Sequence, residues 1–215
     1  MAFGDDLDKI LPSYLVQSKK TRLKEALIQF TNDDGRKEID YTDFYRAYHH
    51  SLFMQSDLVK EVRLPVWNDV NAVFDKGYTD AIILSNTCDI SPSNEHDLNT
   101  KQCLFAPIIN LNDYLQALKD EGYDAGKIIQ FKNTIQAQLI SNLFYLPICH
   151  KENIDYIVLL DNVFWFPKSE LNSYISDIED NRIASLSLFG YYLFILKLSY
   201  HLCRLPELNE REPQE

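Results

Sequence analysis

The first quarter of the chain spaces its apolar residues as amphipathic helices do. In SKKTRLKEALIQF, Leu23 and Leu27 lie on one face of the predicted helix, and lysine and arginine occupy the other. In DYTDFYRAYHHSLF, Phe44 and Tyr48 are one helical turn apart, which predicts a second helix. Residues 1–55 are therefore expected to form an N-terminal helical unit that packs on the rest of the chain.

From Ser56 the pattern becomes that of strands. The segment DLVKEVRLPVW alternates apolar and polar residues up to Pro65, which is expected to end the strand. AIILS and QCLFAPII are short apolar runs typical of buried strands, and Pro107 predicts an edge position or a bulge for the second. LFYLPI and DYIVLLDNVFWF predict two more strands, ended by Pro147 and Pro167. The total is about five strands.

Two helical stretches accompany these strands. Residues 111–142 return to helical spacing and form a predicted insertion. Residues 182–205 predict a long helix that is apolar on nearly every side and is therefore buried. Residues 56–205 thus form a strand-rich core with a helical insertion and a C-terminal helix, and residues 206–215 form an acidic tail that is expected to fray. Because strands and helices do not alternate regularly, the predicted fold class is α+β.

Composition and charge narrow the range of functions. The chain has 215 residues, of which 46% are hydrophobic and 13% aromatic, as expected of a globular protein with an aromatic-rich core or interface. Its net charge of -11 disfavours a broad phosphate-binding surface, and with it direct nucleic-acid binding. An acidic surface instead suits a basic protein partner, including one that itself binds nucleic acid.

The sequence predicts a cytoplasmic protein. The N-terminal segment MAFGDDLDKILPSY has no basic start followed by an apolar run, so a secretory signal is not expected. The uninterrupted apolar run at residues 188–196 is far shorter than the roughly 20 residues that span a bilayer, so no membrane span is expected. None of the cysteines lies in a CxxC pair, and free thiols in a reducing compartment are the default for Cys88, Cys103, Cys149 and Cys203.

The run AIILSNTCDIS ends a buried strand in a polar cluster that contains one thiol. A catalytic interpretation makes Cys88 a nucleophile beside Asp89, with His96, His150 or His201 as its base. A structural interpretation makes Cys88 a small buried residue in a turn, where short polar side chains bond to nearby backbone amides. We favour a structural or interaction role for the residues of this turn, which are Ser85, Asn86, Thr87, Cys88 and Asp89.

Metal binding is another interpretation of the same region. Cys88, His96, Cys103, Cys149 and His150 would form a zinc site if their strands were neighbours. Structural zinc ligands commonly come in closely spaced pairs, and that spacing is missing here. The adjacent side chains of Cys149 and His150 point to opposite faces of a strand, which makes joint ligation awkward. We therefore predict no metal and no other cofactor, and the sequence contains no GxGxxG, P-loop, HExxH or GxSxG motif.

Two further residues are candidates for structural or interaction roles. Arg182 opens the predicted C-terminal helix, with Asp180 or Asn181 as its cap, and is expected to pair with Asp89 and so fix the polar turn. In the segment FWF, alternation places the two phenylalanines on one face of a strand and Trp165 on the other. The first face suits core packing and the second suits an interface.

Several segments resemble known bacterial proteins. QSDLVKEVRLPVW is similar to the opening of the SH3-like barrels in the PemK/MazF toxin family, with Ser56 where that family has glycine. AIILSNTCDIS followed by CLFAPII resembles that family's succession of a strand with a polar turn and a strand with a proline-containing turn. The set ILSNTCDI, APII, LFYLP and RIASLS resembles a group of bacterial proteins with an S-x-x-C-D turn. The resemblance implies a small SH3-like β-barrel or a curled antiparallel sheet.

The leading functional hypothesis is a non-catalytic protein-interaction module in a bacterial defence or toxin–antitoxin type of system. It rests on the acidic charge, the aromatic content, the lack of a catalytic motif and the resemblance. The alternative is an enzyme, either a toxin-like endoribonuclease, as the resemblance implies, or a thiol hydrolase that uses Cys88. An acidic mimic of nucleic acid would need two rows of carboxylates, which the even spread of acidic residues does not indicate.

Overall fold

The computed structural model describes residues 16–31, 39–46, 50–93, 101–149, 153–174 and 177–202. The residues 1–15 and the predicted acidic tail lie outside this part of the chain. The described residues form an α+β fold, as predicted. Its elements, in chain order, are α1 Gln17–Thr31, β1 Asp57–Asn68, β2 Val73–Ile83, α2 Thr87–Ile90, β3 Gln102–Asn110, α3 Leu111–Asp120, α4 Ala125–Gln136, β4 Leu143–Cys149, β5 Ile154–Leu159, β6 Phe164–Pro167, α5 Lys168–Tyr174, α6 Ile178–Asn181, β7 Arg182–Ser185 and α7 Leu188–Leu202.

The strands form one antiparallel sheet in the order β4-β5-β3-β2-β1-β7, and β6 pairs with β3. Within the described residues the sheet is not closed into a barrel, because its path ends at β4 on one side and β7 on the other. The described part of the chain has seven strands, where about five were predicted. DYIVLLDNVFWF, expected to be one strand, is divided between β5 and β6 by a turn at residues 160–161.

Strand β3 lies at the centre of the sheet, so the predicted edge position of Pro107 is wrong. The Leu84 N–H donates to the Leu104 carbonyl on the β2 side of β3. By alternation, Pro107 turns its nitrogen to the opposite side of β3. On that side the pairing with β6 ends at Phe105 and the pairing with β5 begins at Ile108. The missing N–H of Pro107 therefore falls in a gap between two partner strands.

Strands β1 and β2 form a long hairpin whose outer half extends beyond the rest of the sheet. Pro65 does not end β1, which continues to Asn68 opposite Val73. The register shifts between Val59 and Val62, where Glu61 has a φ of 51°, so β1 contains a bulge.

The apolar side chains pack into three clusters on and around the sheet. The largest lies under α7 and includes Phe44, Phe144 and Phe194. The second fills the curl of β1, β2, β3 and β6 and includes Phe105 and Phe166. The third joins α3 and α4 to β4 and β5. The buried face of α7 confirms the predicted buried C-terminal helix, and it consists of Phe189, Gly190, Leu193, Phe194 and Lys197.

The predicted insertion folds as two helices, α3 and α4. The Asn110 side chain caps α3 by accepting from the Asn112 N–H, and the Asp124 side chain caps α4 by accepting from the Gly126 N–H. Gly122 lies between the two helices with a φ of 91°, a conformation that favours glycine.

Two helix predictions are wrong in part. The described residues 39–46 and 50–55 contain no helix; instead Tyr45 bridges Leu186, and the Arg46 N–H donates to the Ser185 carbonyl. This segment runs along the edge of β7 that β1 does not pair with, where an extended chain satisfies backbone groups that a helix would leave unbonded. At the other end of the chain, residues 182–185 form β7, and the helix begins only at Leu188. No described helix combines the length and apolar character needed to cross a membrane.

Candidate interaction site

The polar side chains of the SNTCD turn bond to backbone groups that surround the turn. The Ser85 hydroxyl accepts from the Leu104 N–H of β3 at 2.8 Å. The Asn86 side chain accepts from the Cys88 N–H at 2.9 Å and caps the short helix α2. The Thr87 hydroxyl accepts from the Gln55 N–H at 3.0 Å. These bonds tie the end of β2 to β3 and to the segment that precedes β1.

Cys88 and Asp89 are exposed at the surface of this turn. Of the three histidines proposed as a base, His96 and His150 lie outside the described residues, and His201 pairs with Asp161 at 3.1 Å. The described residues contain no group of three or more His, Cys, Asp or Glu side chains that could hold a metal ion. A catalytic role for Cys88 and Asp89 stays a prediction.

The other described cysteines differ from Cys88 in their surroundings. Cys149 is buried in the first core cluster, beneath α7, and Cys103 is buried in the second, inside the curl. Burial raises the pKa of the Cys103 thiol to about 11. A buried thiol with a raised pKa is a poor nucleophile near neutral pH.

Arg182 is buried and pairs with Asp57, not with Asp89 as predicted. Its Nε donates to Asp57 Oδ2 at 3.1 Å. Its two terminal nitrogens donate to the carbonyls of His50 and Leu52, each at 2.7 Å. Because Arg182 opens a strand rather than a helix, its side chain points into the junction of β7, β1 and the segment before β1, where the nearest carboxylate belongs to Asp57.

The charge of Asp57 is shielded on several sides. Burial raises the pKa of the Asp57 carboxyl, and the Arg182 guanidinium and the bond from the Met54 N–H act in the opposite direction. The guanidinium also lies 5.1 Å from the centre of the Phe53 ring. These bonds hold the segment before β1 in place. Because the ion pair is buried, it offers no open surface to a substrate.

Residues 63–78, the outer part of the β1–β2 hairpin, form an exposed arm. Trp67 and Phe74 face each other across its strands with ring centres 5.1 Å apart, and each remains at least half exposed. Val70, at the tip, is 92% exposed, and Tyr78 is 67% exposed. Large apolar side chains that stay open to solvent in one patch often mark a binding surface.

Polar bonds give the tip of the arm a defined shape. The Asn68 side-chain oxygen accepts from the N–H groups of Val70 and Asn71. The Asn68 amide nitrogen donates to Asp75 Oδ2 at 2.6 Å across the hairpin. At the base of the arm, Arg63 forms an ion pair with Glu170 of α5. The exposed apolar side chains are thus carried by an ordered hairpin, which lowers the entropy cost of binding.

A groove separates the arm from β6. Its volume is about 250 Å³, and the side chains of Pro65, Phe74 and Trp165 contribute to its lining. Trp165 is about half exposed and points away from the buried Phe164 and Phe166, as alternation in FWF predicted.

The sequence analysis identified Trp165 but missed the arm. The missed signal is the segment PVWNDVNAVF, in which an NDVN turn is flanked by apolar residues on both sides. The chain matches no family model, and no curated protein matches it at a significant level.

Proposed function

We propose that this chain is a non-catalytic protein-interaction module whose contact surface is the hairpin arm and the adjoining groove. The observation that carries the proposal is the ordered arm that exposes Trp67, Val70 and Phe74 together. Aromatic side chains in a defined geometry dominate the energetics of protein interfaces. Apolar side chains exposed to water do not stabilise the isolated chain, so the simplest explanation of their exposure is that a partner protein buries them.

The charge of the chain indicates the kind of partner. A net charge of -11 attracts a basic protein and repels polyanions at long range. The proposal includes a bacterial defence or toxin–antitoxin type of system, as the resemblance implies. It also includes a cytoplasmic location, which rests on the sequence pattern.

Two features support an SH3-like arrangement around the second core cluster. Strands β1, β2, β3 and β6 curl around one set of apolar side chains that includes Phe105 and Phe166. Ser56, which stands where the resembled family has glycine, has a φ of 70°, in the left-handed region that glycine favours. The SH3-like assignment is part of the proposal.

The test is a quantitative pull-down from the native host with matched variants. Wild-type protein is compared with a variant that carries Trp67→Ser and Phe74→Ser, and with a control in which Ile129→Ser removes an exposed apolar residue of α4. We expect a specific protein to be captured by the wild type and the control, and its capture to fall at least about tenfold in the arm variant. Equal capture by all three proteins, or no specific capture at all, would contradict the proposal.

The catalytic alternatives have their own assays. Cleavage of RNA by the purified protein, at a rate proportional to its concentration, would favour the toxin-like endoribonuclease. Ester or amide hydrolysis that disappears in Cys88→Ser would favour the thiol hydrolase, for which the exposure of Cys88 is the supporting observation.

A further inference from the structure

Side chains or extended chain cover the two ends of the sheet, at β4 and at β7. At β4 the Gln138 amide bonds to both backbone groups of Tyr145, and the Tyr45 hydroxyl donates to the Pro147 carbonyl. At β7 the Arg46 N–H donates to the Ser185 carbonyl. Unpaired edges invite other strands, and native proteins usually cover or blunt them.

The outer edge of β2 in the arm is different. Strand β3 pairs with β2 only at residues 81–83. Among the described residues, no strand lies beside residues 73–80 on that side. Residues 73–80 of β2 are therefore paired with β1 on one side and have no described strand on the other.

The backbone groups that this edge presents follow from two hydrogen bonds. The Leu84 N–H donates toward β3, and the Ile83 carbonyl accepts from the Ser56 N–H on the β1 side. Because backbone groups alternate along a strand, even-numbered residues of β2 direct their N–H and C=O groups outward. The position of Pro65 opposite Lys76 agrees with this pattern. Because the C=O of Lys76 points away from β1, it needs no hydrogen bond from residue 65, and proline has no N–H to donate.

The same alternation places the side chains of the outward-directed residues on one face. Phe74, Lys76, Tyr78 and Asp80 therefore form a row of aromatic, cationic, aromatic and anionic groups. Phe74 is 69% exposed and Lys76 is also exposed. Directly opposite side chains in an antiparallel pair interact, so this row specifies the strand that would fit beside it.

A second copy of the chain fits this edge poorly. Two-fold registers centred on Lys76 or on Asp75 place that charged residue opposite its own copy, and the register centred on Gly77 places Phe74 opposite Asp80. Two copies would also bring together two net charges of -11. The outer edge of β1 is blocked in a different way, because Pro65 interrupts its row of donors.

We propose that residues 73–80 bind an extended segment of a partner protein as an additional antiparallel strand. The segment carries a basic residue opposite Asp80, apolar residues opposite Tyr78 and Phe74, and an acidic residue opposite Lys76. Its pattern is therefore basic-x-apolar-x-acidic-x-apolar from its N-terminus to its C-terminus. The inference rests on the proposed function and adds the mode of binding and the chemistry of the partner.

The direct test uses a synthetic peptide with this pattern and two N-methylated forms. The peptide is fluorescein-KTVTETVT-amide, in which the valines and the glutamate pair with β2 through their N–H groups. One derivative is N-methylated at both valines and the glutamate, and the other at the three threonines between the lysine and the last valine. Both derivatives have the same composition, so they differ only in which side of the strand loses its donors.

We expect the parent peptide to bind with a dissociation constant below about 1 mM in fluorescence anisotropy. Methylation on the side that faces β2 is expected to weaken binding at least about tenfold, and methylation on the far side less than about twofold. Equal affinities of the two derivatives, or no binding of the parent at about 1 mM, would overturn the inference.

Protein variants separate this inference from the proposed function. Lys76→Pro removes an outward N–H and leaves the β1–β2 bonds intact, whereas Lys76→Gln removes the charge and keeps the N–H. In the pull-down we expect the amount of partner captured to fall at least about tenfold in Lys76→Pro and less than about threefold in Lys76→Gln, each relative to wild type. If Lys76→Pro retains the partner while the Trp67→Ser, Phe74→Ser variant loses it, the arm binds by another mode and the proposed function stands. If all variants retain the partner, both proposals fail.

Discussion

Arg182 Nε donates to Asp57 Oδ2 at 3.1 Å in an ion pair whose two side chains are almost completely buried. The two terminal nitrogens of Arg182 donate to the carbonyls of His50 and Leu52, and Asp57 accepts from the Met54 N–H. The pair therefore has the additional hydrogen bonds that a buried ion pair needs to be tolerated. Removing either partner would leave an uncompensated charge in the interior.

We expect Arg182→Met to lower the free energy of unfolding by about 3–5 kcal/mol, and Asp57→Asn to have an effect of similar size. The double variant is expected to cost less than the sum of the single variants, because the two side chains act together. Urea unfolding followed by circular dichroism measures all three. Arg63→Met is the control: its pair with Glu170 is more than one-third exposed on the glutamate side, and it should cost no more than about 1 kcal/mol. Additive single effects would contradict the coupling.

The Gln138 side chain occupies the place of a neighbouring strand at the edge of β4. Its amide donates to the Tyr145 carbonyl at 2.8 Å and accepts from the Tyr145 N–H at 3.0 Å. Gln138→Ala leaves both buried groups without these partners and is expected to cost about 2–4 kcal/mol of unfolding free energy. Gln136→Ala, nearby but only half-buried, should cost about 1 kcal/mol or less. Chemical unfolding of both variants compares them, and equal costs would contradict the structural role of Gln138.

Lys197 gives the stability of the fold a predictable dependence on pH. Burial lowers the pKa of its amine to about 8 from an ordinary value of 10.5. Between these values the unfolded chain binds more protons than the folded one, so the unfolding free energy contributed by this group rises with pH. Below about pH 8 both states are protonated and the dependence disappears. The full difference is about 3 kcal/mol.

The measurement compares wild type and Lys197→Met by urea unfolding between about pH 7 and about pH 9.5. The wild type is expected to gain stability relative to the variant above about pH 8. The range ends below the ordinary tyrosine pKa of 10.0. Burial raises the pKa of Tyr145 to about 12, so between these two values the unfolded chain loses this proton first and the slope is opposite. Parallel curves for the two proteins would contradict the assignment.

The described thiols are expected to differ in their reactivity. Cys88 is exposed, whereas Cys103 is buried and burial raises its pKa from 9.0 to about 11. At neutral pH this shift reduces the thiolate fraction of Cys103 about 100-fold, so iodoacetamide should modify Cys88 first. Mass spectrometry of tryptic peptides over time gives both rates. A Cys88 rate like that of a free peptide thiol indicates exposure alone, and a much faster rate would support the hydrolase alternative.

Several elements could be predicted because their signal is local. The apolar run at residues 81–83 and the capped helices of the insertion depend on neighbours within a few positions, and each was found. The outward direction of Trp165 followed from simple alternation.

Other elements depend on contacts that are distant in sequence. Arg182 belongs to a strand because β1 offers it backbone partners and Asp57 offers it a carboxylate, neither of which the apolar pattern after it reveals. Phe44 and Tyr48 have helical spacing, but the described residues 39–46 form no helix, and Tyr45 bridges Leu186 at the end of β7 instead. Proline was a misleading signal in β1 and β3, because Pro65 and Pro107 lie where no partner strand needs their N–H.

The arm was missed for a related reason. Trp67 and Phe74 have the apolar character of core residues, and only the length of the hairpin carries them away from the core. A sequence pattern tells which residues share a face, but not whether another layer covers that face.

The ion pair of Arg182 and Asp57 also has a consequence for synthesis on the ribosome. Its members are 125 positions apart, and the chain is made from its N-terminus. Asp57, at the start of β1, therefore has no counter-charge from Arg182 until a further 125 residues have been translated. During that interval the nascent chain carries an unneutralised carboxylate and an unfinished sheet, and exposed apolar strands of this kind make an incomplete fold prone to aggregation.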